Sequence, residues 1–133
     1  MNEATRRDVR RRAGDRCEYC RLRQEHVPMW RHQVEHVVPR KHHGSDELEN
    51  LALACLRCNL GKSSNLTGRD ELTGQIAPLF NPRTDDWNRH FTFDGARIVG
   101  STPIGRVSVD VLNMNEDIRL RLRRILLENG ELD

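Results

Sequence analysis

The chain has 133 residues, of which 36% are hydrophobic and 32% charged. The apolar share is lean beside the roughly 45–50% of a typical globular domain, so a small fold of this kind calls for help from a metal or a partner. The 22 Lys and Arg against 20 Asp and Glu leave a net charge of only +2, no run approaches the ~18 apolar residues of a membrane helix, and the start Met1-Asn2-Glu3 has no apolar leader. These features exclude membrane, secreted and collagen-like classes and point to a cytoplasmic chain. The charge is unevenly spread. Residues 1–43 carry +5 and residues 44–133 carry −3, and 20 of the 22 basic residues are arginine, whose planar fork suits phosphate.

In chain order, residues 4–13 read as a short Arg-rich helix with Val9 and Ala13 on its apolar stripe, ended by Gly14-Asp15. Cys20 to Pro28 reads as loop. Trp30 to Val38 reads as a strand stopped by Pro39. Residues 40–50 are polar, with Gly44-Ser45-Asp46 as a turn. Leu51 to Ala54 reads as a short strand and Cys55 to about Ser63 as a helix. Residues 64–86 have the Gly, Pro, Asn and Asp density of loop, and Asp85 to His90 fits one helical turn. Phe91–Phe93 and Arg97–Val99 flank Asp94-Gly95, a hairpin turn. Thr102-Pro103 starts a helix carrying Ile104, Val107, Val111 and Leu112. The alternation of Val107, Val109 and Val111 also fits a strand. Asn115 is the expected cap of a last helix, with Ile118, Leu122, Ile125 and Leu126 as a core face or a dimer seam, and Gly130 as its stop.

The cysteines are the informative residues. Cys17-x2-Cys20 and Cys55-x2-Cys58 are separated by 34 residues, and two such pairs read as one four-thiolate structural Zn2+ site. Two redox dithiols or an iron centre are the competing readings. Zinc also accounts for the lean core, because its binding energy contributes to folding.

Between the cysteine pairs lie Glu35-His36-Val37-Val38-Pro39, Gly44, Asn50-Leu51 and Cys58-Asn59-Leu60-Gly61-Lys62. His36, thirteen residues, Asn50, eight residues and Asn59 lie in a strand–loop–strand–helix order. A histidine with an ordinary pKa near 6.5 suits base catalysis near neutral pH. Successive strand residues face opposite ways, so Glu35 and His36 share a site only with a twist, bulge or strand end.

This core, residues 34–62 extended back to Cys17, resembles the HNH endonucleases, the ββα-metal nucleases, in the subset framed by two CxxC pairs. The segments after residue 66 resemble the tail of a bacterial HNH subfamily. The resemblance implies an α+β fold: a ββα-metal core stapled by a four-cysteine zinc site, with a C-terminal hairpin and helices. A single domain over residues 1–133 is expected, with 17–62 as the zinc-framed core and 66–133 packing on it. It implies His36 as general base, Asn50 as the residue tying the loop, and Glu35 and Asn59 as ligands of a catalytic Mg2+ or other divalent ion, in an HNN variant because Asn59 stands where histidine is common. Arg40, Lys41, His43 and Lys62 are candidate phosphate contacts, and His32 is expected to pack or face solvent rather than ligate. The implied function is metal-dependent hydrolysis of DNA phosphodiester bonds leaving 5′-phosphate and 3′-hydroxyl ends. The alternative is a non-catalytic zinc-ribbon DNA-binding or adaptor protein that retains the fold. Monomer and homodimer both remain open, and neither sequence specificity nor pathway is legible.

Overall fold

A computed structural model describes residues 1–132. Helix α1 (Glu3–Ala13) forms where the sequence places it. The Asn2 side chain accepts the Thr5 N–H at 2.9 Å, Glu3 sits in the first turn, Arg10, Arg11 and Arg12 in the last, and Gly14 ends it in the left-handed region at φ +64°. Its one buried residue, Val9, packs on Leu51 and Leu53 with Val34 alongside.

Strands β1 (Gln33–His36) and β2 (Leu51–Ala54) pair antiparallel with Gln33 opposite Ala54 and His36 opposite Leu51. The β1 strand is shorter than the expected Trp30–Val38, because Met29 and Trp30 are exposed and Gln24 instead binds the backbone of Trp30 and His32. All four residues of β2 are buried, since α1 covers one face and the cysteine cluster the other. Helix α2 (Leu56–Lys62) follows at once, with Cys55 as its N-cap. Together, β1, β2 and α2 form the ββα unit.

Residues 64–86 contain more structure than their composition indicates. Strands β3 (Thr67–Arg69) and β4 (Ile76–Pro78) form a hairpin whose turn is organised by Asp70. Its carboxylate accepts from Leu72 N–H, Thr73 Oγ1 and, bidentately, the Arg106 guanidinium at 2.9 Å. Three-residue strands carry too little periodicity to read. They form because Gly68 lets helix α4 (Pro103–Val111) approach, its position facing Val107 and Val111.

Helix α3 (Trp87–His90) leads into the hairpin of β5 (Phe91–Asp94) and β6 (Arg97–Gly100). Asp94 pairs with Arg97, so the turn is Gly95-Ala96, one residue beyond the expected Asp94-Gly95, and Gly95 takes φ +58°. The Thr102 hydroxyl caps α4 by accepting the Gly105 N–H at 3.0 Å, and Pro103 opens it. The 103–111 segment is therefore helix, not strand. Helix α5 (Asp117–Glu128) is capped at Glu116, not Asn115. The Asn115 amide instead pairs with both backbone groups of Ile98, at 2.9 and 2.7 Å. The expected α5 face is buried only in part, at Leu126 and, half-buried, Leu122. Arg119, Leu120, Arg123 and Leu126 are buried while Ile118 and Ile125 are exposed.

The main hydrophobic cluster runs from Cys17, Tyr19, Cys55 and Cys58 through Phe80, Trp87 and Phe91 to Ile98, Val107, Leu112 and Met114, so residues after 66 pack directly against the cysteine-framed part. The architecture is α+β, with three two-stranded antiparallel sheets among the described residues. Backbone crossings are close at Gly105, where an added Cβ meets the His90 carbonyl oxygen at 2.0 Å. Gly105→Ala is expected to lower stability by about 1–3 kcal/mol through forced backbone displacement, read as a reduced denaturant midpoint. An unchanged midpoint contradicts that packing.

Candidate functional site

Each CxxC pair forms a tight turn in which the second cysteine's N–H points at the first sulfur, at 3.5 Å for Cys20 to Cys17 and 3.4 Å for Cys58 to Cys55. The four Sγ atoms lie within 4.8 Å of one another and all four residues are buried. Cys20 and Cys55 Sγ are 3.7 Å apart. Tetrahedral thiolates at ~2.3 Å from zinc are about 3.8 Å from each other, so the donor set fits a zinc ion held by four thiolates.

Helix α5 backs this cluster with a guanidinium. Arg119 Nη2 donates to Cys58 Sγ at 2.9 Å and lies 3.9 Å from Cys55 Sγ, while Nη1 donates to the carbonyls of Leu112 and Asn113 at 2.7 and 3.0 Å. Burial alone pushes the Arg119 guanidinium down, but the charges of Cys58, Cys20 and Cys55 outweigh it and hold it upward. Arg123, one turn on, donates to Ala96 and Met114 carbonyls and to Asn115 Oδ1. A four-thiolate zinc centre carries a net charge of −2, and Arg119 supplies positive charge against it where water is absent.

Between β1 and α2 lies a second polar group. Glu35 and Lys62 pair at 3.1 Å with side chains 6% and 3% exposed. The Tyr19 hydroxyl donates to Glu35, and Lys62 donates to the His36 carbonyl at 2.9 Å. Burial pushes the Glu35 carboxyl up, opposed by Lys62 and Tyr19. Asn59 Nδ2 donates to Gln33 Oε1 at 2.7 Å, which leaves the Asn59 carbonyl oxygen as its free donor atom. Lys62, expected at the phosphate, is thus held inside the protein.

His36 faces the other way, as strand alternation requires. Its Nε2 lies 2.7 Å from Asp46 Oδ1, and Arg40 grips both oxygens of the same carboxylate at 3.0–3.2 Å. Hydrogen bonds from His36 and then Arg40 hold the Asp46 carboxyl down at about 2. Asn50 ties this loop. Its Oδ1 accepts the Val38 N–H at 2.9 Å, and its Nδ2 donates to the Val38 and Ser45 carbonyls at 3.0 and 2.8 Å. Gly44 lies so close beneath that an added Cβ falls 1.6 Å from the Val38 oxygen. Lys41 and His43 are exposed, His43 in the left-handed region at φ +69°. His32 is buried and reaches the Leu22 carbonyl at 2.9 Å, outside the cysteine cluster.

The structure therefore brings His36, Asn50 and Arg40 together on one side of β1, and Glu35, Asn59, Gln33 and Lys62 on the other. Glu35 and Asn59 offer oxygen donors of the hard class that suits Mg2+, with Lys62 already paired to Glu35. The cysteine cluster is the only group of three or more His, Cys, Asp or Glu ligand atoms gathered among the described residues. Tyr19, Gln33, Asp46 and Arg119 are participants that the sequence motifs do not mark. Tyr19 stands inside the first CxxC and Asp46 in a readable turn, which are the available signals.

Residues 17–65 match the family model described as HNH endonuclease. This segment is an HNH domain. Over 117 residues, 86% of the chain, the protein is 28% identical to the Septu protein PtuB of Bacillus thuringiensis. The match covers 42% of that relative's length. No solved structure matches.

Two outcomes follow for the four-cysteine cluster. Cys58→Ser is expected to lose the bound metal and most of the cooperative melting transition, because zinc binding and folding are coupled. Full metal content with unchanged melting contradicts the site. Arg119→Met should retain the fold but release zinc to a chelator about tenfold faster, as loss of a group hydrogen-bonded to a metal ligand does, with Arg119→Lys intermediate. Parent-like release by Arg119→Met contradicts that role for the guanidinium. Separately, Lys62→Met leaves Glu35 buried without its partner and should cost about 3–5 kcal/mol, read by denaturant titration.

Proposed function

We propose that the chain is a DNA endonuclease in which His36 activates water for attack on a phosphodiester. The observation that carries this reading is His36 at the end of β1 within the HNH segment, leading into a loop pinned by Asn50 and beside the exposed Arg40, Lys41 and His43. His36 takes a proton from water as the water oxygen bonds to phosphorus. The bond from phosphorus to the 3′ oxygen breaks, and that oxygen takes a proton from solvent to give a 3′-hydroxyl and a 5′-phosphate. Glu35 and Asn59 lie across β1 from His36, and Glu35 is paired with Lys62; they would hold a divalent ion such as Mg2+, which supplies charge neutralisation at a phosphate, only where Lys62 gives up Glu35 and the end of β1 turns both faces to one phosphate. Arg40, Lys41 and His43 contact the phosphate backbone, and the +5 balance of residues 1–43 adds to affinity that weakens with salt. DNA is the proposed partner in either oligomeric state, and among the described residues no helix is long and apolar enough to cross a membrane.

One observation favours a second reading. Glu35 is neutralised by Lys62 and the Asn59 amide is engaged by Gln33, which fits a zinc-stapled DNA-binding or adaptor module without hydrolysis. Supercoiled plasmid incubated with the zinc-loaded chain and Mg2+ or Mn2+ separates the two. Under the nuclease reading, relaxed or linear product forms with the parent and is lacking with His36→Ala. DNA binding without cleavage under any divalent ion overturns it in favour of the module.

A further inference from the structure

We propose that Asp46 is a positioning residue for His36, fixing the imidazole as the tautomer with its proton on Nε2 so that Nδ1 carries the free lone pair. The proposal rests on the nuclease reading for its purpose, and on geometry for its content. Asp46 Oδ1 sits 2.7 Å from His36 Nε2. An ionised carboxylate only accepts, so the imidazole nitrogen facing it must bear the hydrogen. Nδ1 makes no hydrogen bond among the described residues and is left to accept one.

The carboxylate is itself held from two sides. Arg40 grips it through Nε and Nη2, which fixes the plane of the group. Asn50 fixes the backbone beneath it. One amide donates to the Ser45 carbonyl, just before Asp46, and bonds both backbone groups of Val38, two residues after His36. Asn50 thereby closes the loop so that Asp46 lies over His36. It acts through Asp46 without touching the imidazole. Asp46 is also 44% exposed at its side chain, so its removal leaves no buried group orphaned.

The test is the ring-nitrogen spectrum of the folded, zinc-loaded chain with 15N-labelled histidine, at a pH above the histidine transition, with the His36 signals assigned from a His36→Gln variant. In the parent, Nε2 should show the shift of a protonated nitrogen and Nδ1 that of an unprotonated one. Asp46→Ala should bring the two shifts together as the tautomers mix, whereas Arg40→Gln keeps the parent pattern. A parent with the proton on Nδ1, or an Asp46→Ala spectrum identical to the parent, overturns the proposal. In plasmid cleavage, Asp46→Ala should lose about 10–100-fold in kcat, by analogy with the carboxylates that orient metal-ligating histidines, with KM little changed, and Asp46→Glu should recover part of it. A change confined to KM overturns the positioning role. The spectrum is independent of activity. An Asp46-dependent tautomer in a chain that cuts nothing would retain the pairing and refute the nuclease reading, and cleavage with parent kcat in Asp46→Ala would do the reverse.

Discussion

Four sulfurs within 4.8 Å of one another are the constraint on which the remaining structure depends. Cys17 and Cys20 belong to the turn after α1, while Cys55 and Cys58 begin α2. Joining them closes a loop that contains β1, the 37–50 segment and β2. With so few apolar residues, neither strand pair nor helix could hold this arrangement by burial alone. A metal such as zinc held by the four thiolates would supply what the apolar core lacks, and Arg119 extends the reach of the cluster to α5 through the Cys58 sulfur. The later part of the chain is thus tied to the earlier part by charge as well as by Phe80, Trp87 and Phe91.

The interior of the ββα unit is polar for a related reason. Glu35, Lys62 and Tyr19 satisfy one another where water is excluded. A buried pair of this kind adds little net stability, because desolvation opposes the Coulombic attraction, but each member is costly to remove alone. It fixes α2 against β1. The same pairing means that β1 divides its two chemically expressive residues. Glu35 serves the face under α2, and His36 serves the outer face with Asp46, Arg40 and the Asn50-pinned loop. Any divalent ion taking Glu35 as ligand has to compete with an ammonium already in place.

Elements are legible in the sequence where local signals decide them. Asn2 and Gly14 bracket α1, Thr102-Pro103 opens α4, and Leu51–Ala54 is a fully buried strand. Elements formed by tertiary contact are not. The β3–β4 hairpin depends on Asp70 meeting Arg106, which lies 36 residues away. The face of α5 departs from the sequence expectation because hydrophobic periodicity favours Ile118 and Ile125, whereas the cluster of thiolates and the carbonyls of Met114 and Ala96 recruit Arg119 and Arg123 inward. Asn115 has good cap chemistry yet is used to bind the β6 backbone. In the site, the spacing of Cys, His and Asn locates the right segment. It does not show that Lys62 turns inward to Glu35, since lysine at a helix end usually reaches solvent.

The proposed phosphodiester hydrolysis rests on a four-cysteine scaffold able to hold a metal and on His36, hydrogen-bonded to Asp46 beside exposed cationic residues. The most direct measurement is product analysis on a defined, end-labelled DNA duplex incubated with the zinc-loaded chain and Mg2+, with fragments resolved by mass. Fragments bearing 5′-phosphate and 3′-hydroxyl ends are expected from the parent and none from His36→Ala. An intact duplex with the parent, or the same fragments from both proteins, contradicts hydrolysis by His36.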